Sequence, residues 1–177
     1  SLDDLATLEA PAIKIASASI VNYHLLEAIA AYGKPVVLST GGATLADIRT
    51  AIDILRPCSV AILQCTAIYP CEPEDMHLGV ITSLRDLFPH NVIGLSDHQS
   101  GIAMAVVAYT LGARIFEKHF TLHHHWKGSD QAFSLEPEGM KRLVRDLRRA
   151  RIAMGDPEKR LLPAEIPALK KMGRRDL

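Results

Sequence analysis

The sequence predicts an α/β protein built on a parallel sheet, on three observations. Short apolar runs alternate with helical patterns from residue 12 to residue 155. The apolar runs are near-continuous rather than alternating, the pattern of parallel strands beneath helical crossovers. Each run closes on hydroxyls, thiols, histidines or acids at its C-terminal end, where parallel α/β folds gather their chemistry. The same pattern predicts a sheet covered on both faces.

The opening residues carry Leu2, Leu5 and Leu8 three apart, which reads as the tail of an amphipathic helix and makes the chain look cut. Residues 12–17, AIKIAS, form a first strand. A helix follows over 22–33, with Asn22 as N-cap and Gly33 as the stop. PVVLST, 35–40, is the second strand, and 44–55 is a helix with Leu45, Ile48, Ile52 and Leu55 on one face. Thr44 and Asp47 have the spacing of a capping box. SVAILQCT, 59–66, is the third strand; 74–88 is a helix buried along Leu78, Ile81, Leu84 and Leu87. NVIGLS, 91–96, is the fourth strand. The helix over 101–112 is apolar on nearly every side and is expected to be deeply packed. ARIFEKH, 113–119, is the fifth strand. A last helix over 136–155 turns Met140, Leu143, Val144, Leu147 and Met154 inward and its arginines outward. From Asp156 the chain is polar with two prolines and reads as a linker or surface segment.

A doubly wound sheet and a (β/α)8 barrel both fit this order. The strand ends Ser17, Ser39, Cys65, His98 and His119 lie 22, 26, 33 and 21 residues apart, a regularity that suits barrel units. No glycine-rich dinucleotide or phosphate-loop motif follows the first strand. Five strands are present where a closed barrel needs eight.

Bulk properties narrow the function. Twenty basic residues balance 20 acidic ones, so nothing marks a nucleic-acid or anionic-membrane surface. No apolar run approaches the ~20 residues that span a bilayer. The three cysteines, Cys58, Cys65 and Cys71, are odd in number and not spaced as C-x-x-C. They read as reduced thiols of a cytoplasmic protein.

His98 and His119 end neighbouring strands, so both imidazoles have the placement to address one point above the sheet. Imidazoles beside acids and hydroxyls suit a divalent cation such as Mn²⁺ or Mg²⁺; the alternative is two strand caps bonded to backbone. Asp97 and Glu117 stand where second acids would orient the imidazoles. Lys14 lies inside an apolar strand, which calls for an anionic partner or for a stem that reaches water. With Ser17, Ser39, Thr40, Thr66 and Ser96 it makes an anion cradle. His123–His125 are consecutive in a polar loop, so their side chains diverge and they are not read as a metal site. The loop WKGSD, 126–130, reads as a substrate loop or as a turn with Trp126 packed on the last helix. Tyr69 reads as a substrate contact or as packing.

The strings KIAS, VVLSTGG, LQCTAIYPCEPEDM, IGLSDH, FEKHFTL, WKGSDQAFSLEPEGM and LLPAE resemble the sialic acid synthase family in order and over almost the whole chain. The resemblance implies a (β/α)8 TIM barrel followed by an antifreeze-like domain, with this chain matching strands four to eight. Residues 1–155 then form the C-terminal part of the barrel, and 156–177 lead toward an antifreeze-like domain. Strands one to three, which in the family supply a glutamate and further substrate contacts, have no counterpart here.

The resemblance further implies condensation of phosphoenolpyruvate with N-acetylmannosamine or its 6-phosphate, with C–O cleavage and release of phosphate. WKGSD and LLPAE look closest to members using the phosphorylated sugar. It makes His98 and His119 ligands of Mn²⁺ or Mg²⁺, and Lys14, Ser17, Ser39 and Ser96 contacts for phosphoenolpyruvate. Tyr69 and Asp130 fall near the sugar, Asp130 among the catalytic groups with the two histidines. It also implies a homodimer of the full-length protein. Ser19 stands where many members have an acid, and Ala67 where some have asparagine. The alternatives are a non-catalytic or partner-dependent fragment, or another phosphoenolpyruvate-using barrel lyase or aldolase.

Overall fold

A computed structural model describes residues 9–174; the helical reading of Leu2, Leu5 and Leu8 lies outside them. Five strands, β1 (Ile13–Ile15), β2 (Val36–Ser39), β3 (Val60–Cys65), β4 (Val92–Asp97) and β5 (Ile115–Lys118), form one sheet. Among the described residues six helices accompany it: α1 (Tyr23–Tyr32), α2 (Leu45–Ile54), α3 (Val80–Leu87), α4 (Ala103–Leu111), α5 (Pro137–Ala153) and α6 (Ile166–Lys171). All neighbouring strands are parallel.

The strand order is β1-β2-β3-β4-β5. This decides between the two candidate folds. A doubly wound sheet reverses its order at a switch point; here each strand lies beside its sequence neighbour. Right-handed crossovers in a constant direction put the crossover helices α1–α4 on one side. The main core shows it: Ile13, Ile15, Val36, Leu38, Val60, Ile62, Ile93 and Leu95 join Leu26 and Ile29 of α1, Ile48 and Ala51 of α2, Ile81 and Leu84 of α3, and Ala108 of α4. These strand residues are alternate positions, so their neighbours in sequence face the other way. The expectation of helices on both faces is therefore corrected. The second face is concave, the inner wall of a (β/α)8 barrel of which five βα units are present.

The helix ends follow the local signals. Asn22 Oδ1 accepts from Leu25 N at 3.2 Å, and Gly33 closes α1 in the left-handed region at φ 71°. Thr44 and Asp47 form the full capping box at α2. Several apolar positions face water instead of core. α4 buries only Ala105 and Ala108, and its Val107 is exposed. Leu45, Leu87, Val144 and Met154 are also exposed, with Phe88 taking the core place expected of Leu87. Residues 156–174 lie at the surface and include a 3-10 turn at Pro163–Glu165 and the short α6. Among the described residues no helix is long and apolar enough to cross a membrane.

Candidate active site

The concave face is polar at its C-terminal rim. Pleating places Lys14, Val37, Ser39, Cys65, Ser96 and Glu117 on the side opposite the main core. Lys14, Val37 and Glu117 line one hollow of this face. Residues 96–98 and 117–119 line a smaller one of about 260 Å³ at the rim.

Here His98 and His119 meet. Their ring centroids are 5.2 Å apart, inclined at 64°. His98 Nδ1 lies 2.9 Å from Thr66 O, with Cys65 Sγ at 4.0 Å. His119 Nδ1 lies 3.6 Å from Asp130 Oδ2. His98 Nδ1 is thus hydrogen-bonded to a carbonyl, His119 Nδ1 faces the Asp130 carboxylate at ion-pair distance, and no described protein group bonds either Nε2. That is the usual arrangement of a metal-binding histidine, whose second nitrogen is oriented by such a partner. Among the described residues no three His, Cys, Asp or Glu side chains converge as a cage. A cation here would have two protein ligands and open positions, as catalytic sites keep.

Tyr69 covers the pair, its ring centroid 4.2 Å from that of His98 and 6.0 Å from that of His119. Phe133, buried, stands edge-on to His119 at 5.2 Å. The sequence reading missed Phe133. It arrives because residues after the loop run beside the end of β5: Leu135 N donates to His119 O at 2.8 Å and Thr121 N to Leu135 O at 2.9 Å. No periodicity in QAFSLEP announces that pairing.

The acids next to the histidines play other roles than orienting them, which corrects the sequence reading. Asp97 pairs with Lys118. Glu117 accepts from Ser96 Oγ at 2.7 Å and pairs with Lys14 Nζ at 3.4 Å. Lys14 also donates to Ile15 O at 3.1 Å. Lys14 on β1 and Glu117 on β5 therefore meet across the concavity although their strands end opposite edges of the sheet.

The hydroxyls divide. Thr40 and Thr66 donate to backbone carbonyls, Leu63 O at 2.8 Å and Asp75 O at 2.9 Å, and are structural. Ser17 Oγ accepts from Gly41 N at 2.9 Å and donates to Cys65 Sγ at 3.5 Å. Gly41 is confined: a Cβ there would lie 2.9 Å from both Ser17 Oγ and Cys65 Sγ. Ser39 Oγ is, among the described residues, the one buried side-chain polar atom without a partner. A buried hydroxyl left unpaired is costly, which sets Ser39 apart from the paired hydroxyls around it.

The electrostatics follow from these contacts. Burial pulls the His98 pKa down, but its bonds to Cys65 and Thr66 O outweigh that and leave it above 6.5. Burial and the neighbouring His98 hold His119 below 6.5. Burial raises the Cys65 thiol, and hydrogen bonding by His98 and Ser17 reverses this to a net lowering.

His123–His125 form no shared site. His123 stands edge-on to Trp126 at 5.3 Å, and His124 Nε2 bonds Ser134 O at 2.7 Å. Trp126, half exposed, is matched with His123 rather than with the last helix.

A sheet of sequential parallel βα units with paired imidazoles and a polar rim at the C-terminal strand ends is the architecture of the (β/α)8-barrel enzymes. The chain belongs to the NeuB family, whose sequence profile matches residues 1–159. It is 40% identical to N-acetylneuraminate-9-phosphate synthase of Homo sapiens over 176 residues, 98% of this chain and 49% of the human protein. It is 38% identical to N,N'-diacetyllegionaminic acid synthase of Campylobacter jejuni, over 93% of this chain and 51% of that protein. The crystal structure of N-acetylneuraminic acid synthetase from Leptospira borgpetersenii in complex with citrate superposes with a TM-score of 0.86 at 33% identity, covering 97% of this chain and 61% of that one. The chain spans about half the length of the curated relatives it matches.

Proposed function

We propose that this chain carries the cation- and phosphoenolpyruvate-binding half of a nonulosonic acid synthase. The reaction condenses phosphoenolpyruvate and water with the open-chain aldehyde of an N-acyl amino sugar, N-acetylmannosamine or its 6-phosphate, and releases phosphate by C–O cleavage. The observation that supports it most is the convergence of His98 and His119, each with Nδ1 engaged and Nε2 open.

The residues fit a divalent cation, Mn²⁺ or Mg²⁺, held by the two Nε2 atoms; when bound it supplies Lewis-acid polarisation of the aldehyde oxygen. Thr66 O fixes the His98 tautomer, and the Asp130 carboxylate, 3.6 Å from His119 Nδ1, favours the tautomer that turns the His119 Nδ1 proton toward it. Asp130 thereby acts on catalysis through His119, with its second oxygen left for a sugar hydroxyl. Ser39, unpartnered, and Ser17, held by Gly41 N, offer hydroxyls to the phosphate or carboxylate of phosphoenolpyruvate. Lys14 supplies the positive charge of that cradle once Glu117 exchanges it for the anion. Ser96 Oγ, bonded to Glu117, completes the wall between the cradle and the imidazoles. Tyr69 closes the hydrophobic side over His98, and its raised pKa, from burial and from nearby Cys65 and Asp130, keeps it a neutral phenol. The protein's main contribution is alignment of two mobile anions with fixed dipoles around the developing charge.

A cytoplasmic setting, supported by the free cysteines Cys58, Cys65 and Cys71, is part of the proposal, as is completion of the site across a homodimer. A partner-dependent half-barrel is the second reading, favoured by the sheet order, in which β1 and β5 have no ladder with each other. A product assay separates the two. Phosphoenolpyruvate, Mn²⁺ and a panel of N-acyl amino sugars, phosphorylated and not, are supplied to residues 1–177 alone and to the complete gene product. The proposal predicts nonulosonic acid and stoichiometric phosphate from the complete product and little from the shorter chain. No turnover by the complete product with any sugar contradicts it.

A further inference from the structure

Asp97 and Lys118 are the last residues of β4 and β5 and are register partners. Lys118 Nζ lies 2.8 Å from Asp97 Oδ2, and the two side chains are only 4% and 3% exposed. Lys118 Nζ also donates to Gln99 O, and Asp97 Oδ1 accepts from Gln99 N at 2.8 Å. The pair is thus fully enclosed and ties both strand ends to the first turn after β4.

Its position is informative. The next residue of β4 is His98 and the next after β5 is His119. Strand alternation sends the ion pair to the helix side and the two imidazoles to the concave side. A buried ion pair is a poor source of stability, because the cost of removing two charges from water offsets their attraction; apolar pairs of similar volume do as well or better. What it supplies is direction. An ammonium and a carboxylate with shared backbone partners accept one geometry, whereas two apolar side chains slide.

We infer that the Asp97–Lys118 pair is a positioning device that fixes the spacing of the His98 and His119 imidazoles. Both side chains are engaged with each other and with the Gln99 backbone. The two rings reach one point because their strand ends are locked together, one residue earlier, on the opposite face. The inference rests on the proposed function for its consequence, cation binding, but the spacing itself is a property of the protein alone.

The test uses the complete gene product with Asp97→Leu/Lys118→Met, an apolar pair of similar volume, and Lys118→Arg, which keeps the charge. The metal-free readout is the imidazole ¹H–¹⁵N correlation of His98 and His119. The second readout is Mn²⁺ affinity, and thermal melting is followed throughout. The double variant is expected to fold with an unchanged or raised melting temperature, to move or broaden both imidazole signals, and to lose about 10-fold or more in Mn²⁺ affinity. Lys118→Arg is expected to recover most of that affinity. Unchanged imidazole signals in the folded double variant overturn the inference. So does a double variant that fails to fold, since the pair is then a requirement of the fold. If wild type binds no Mn²⁺, the proposed function fails, and the metal-free arm still decides the inference.

Discussion

His98 and His119 stand with ring centroids 5.2 Å apart; His98 Nδ1 bonds Thr66 O at 2.9 Å, and His119 Nδ1 faces the Asp130 carboxylate at 3.6 Å. The pairing comes from β4 and β5 being adjacent, parallel and in register from Gly94–Ile115 to Asp97–Lys118. One more residue on each strand brings the two imidazoles side by side. The local chemistry then selects which nitrogen remains open.

Ser39 gives a prediction in which stability and binding part. Its hydroxyl is buried and unpartnered, so Ser39→Ala removes an unsatisfied group and should leave the melting temperature unchanged or raise it. The hydrogen bond it offers a charged ligand is worth about 1.5–3 kcal/mol. The phosphoenolpyruvate KM should therefore rise about 10-fold or more. A stable variant with an unaltered KM removes Ser39 from the site.

Protons compete with a cation for imidazole nitrogen, which makes affinity pH-dependent with a definite sign. With His98 held above 6.5 and His119 below it, both rings are neutral at high pH and affinity is full. As pH falls, His98 protonates first, and the loss begins above 6.5. His119 follows below 6.5, its protonation opposed by the charge already on His98. Isothermal titration of Mn²⁺ across pH should show log affinity falling with two breaks in slope, one above 6.5 and one below it. A single break at the ordinary histidine value contradicts the coupling.

Gly94 is the concave residue of β4 where a side chain has no room. A Cβ there would overlap Ile115 O and the Leu63 side chain. Backbone cannot yield as a flexible side chain does, so Gly94→Ala should cost about 1–3 kcal/mol, the range for overpacking. Urea unfolding measures it, and a loss under a few tenths of a kcal/mol contradicts the packing described.

Much of this was legible because local signals and global fold agree. The Asn22 and Thr44 caps, the Gly33 stop and all five strands lie where the residues indicate, within a few positions at each end. The strand ends named the rim residues. Period and propensity are blind to what lies across the sheet. Alternation sends Asp97 outward to Lys118, and curvature brings Glu117 to Lys14; neither follows from adjacency to a histidine. Phe133 reaches His119 only because residues 133–135 run beside 119–121. α4 looked like a buried helix because nearly every residue is apolar, yet it packs through Ala105 and Ala108 and leaves Val107 exposed. Hydropathy counts residues; the sheet decides which side they use.

The most direct test of the account is Mn²⁺ binding to the wild type, His98→Ala and His119→Ala forms of the complete protein, followed by electron paramagnetic resonance. Two histidine ¹⁴N couplings are expected on one bound Mn²⁺ in the wild type. Each alanine variant should lose one coupling and weaken binding by at least an order of magnitude, since a direct ligand should matter no less than the oriented partners behind it. Unchanged affinity in both variants, or a bound ion with no nitrogen coupling, would contradict a cation shared by these two rings.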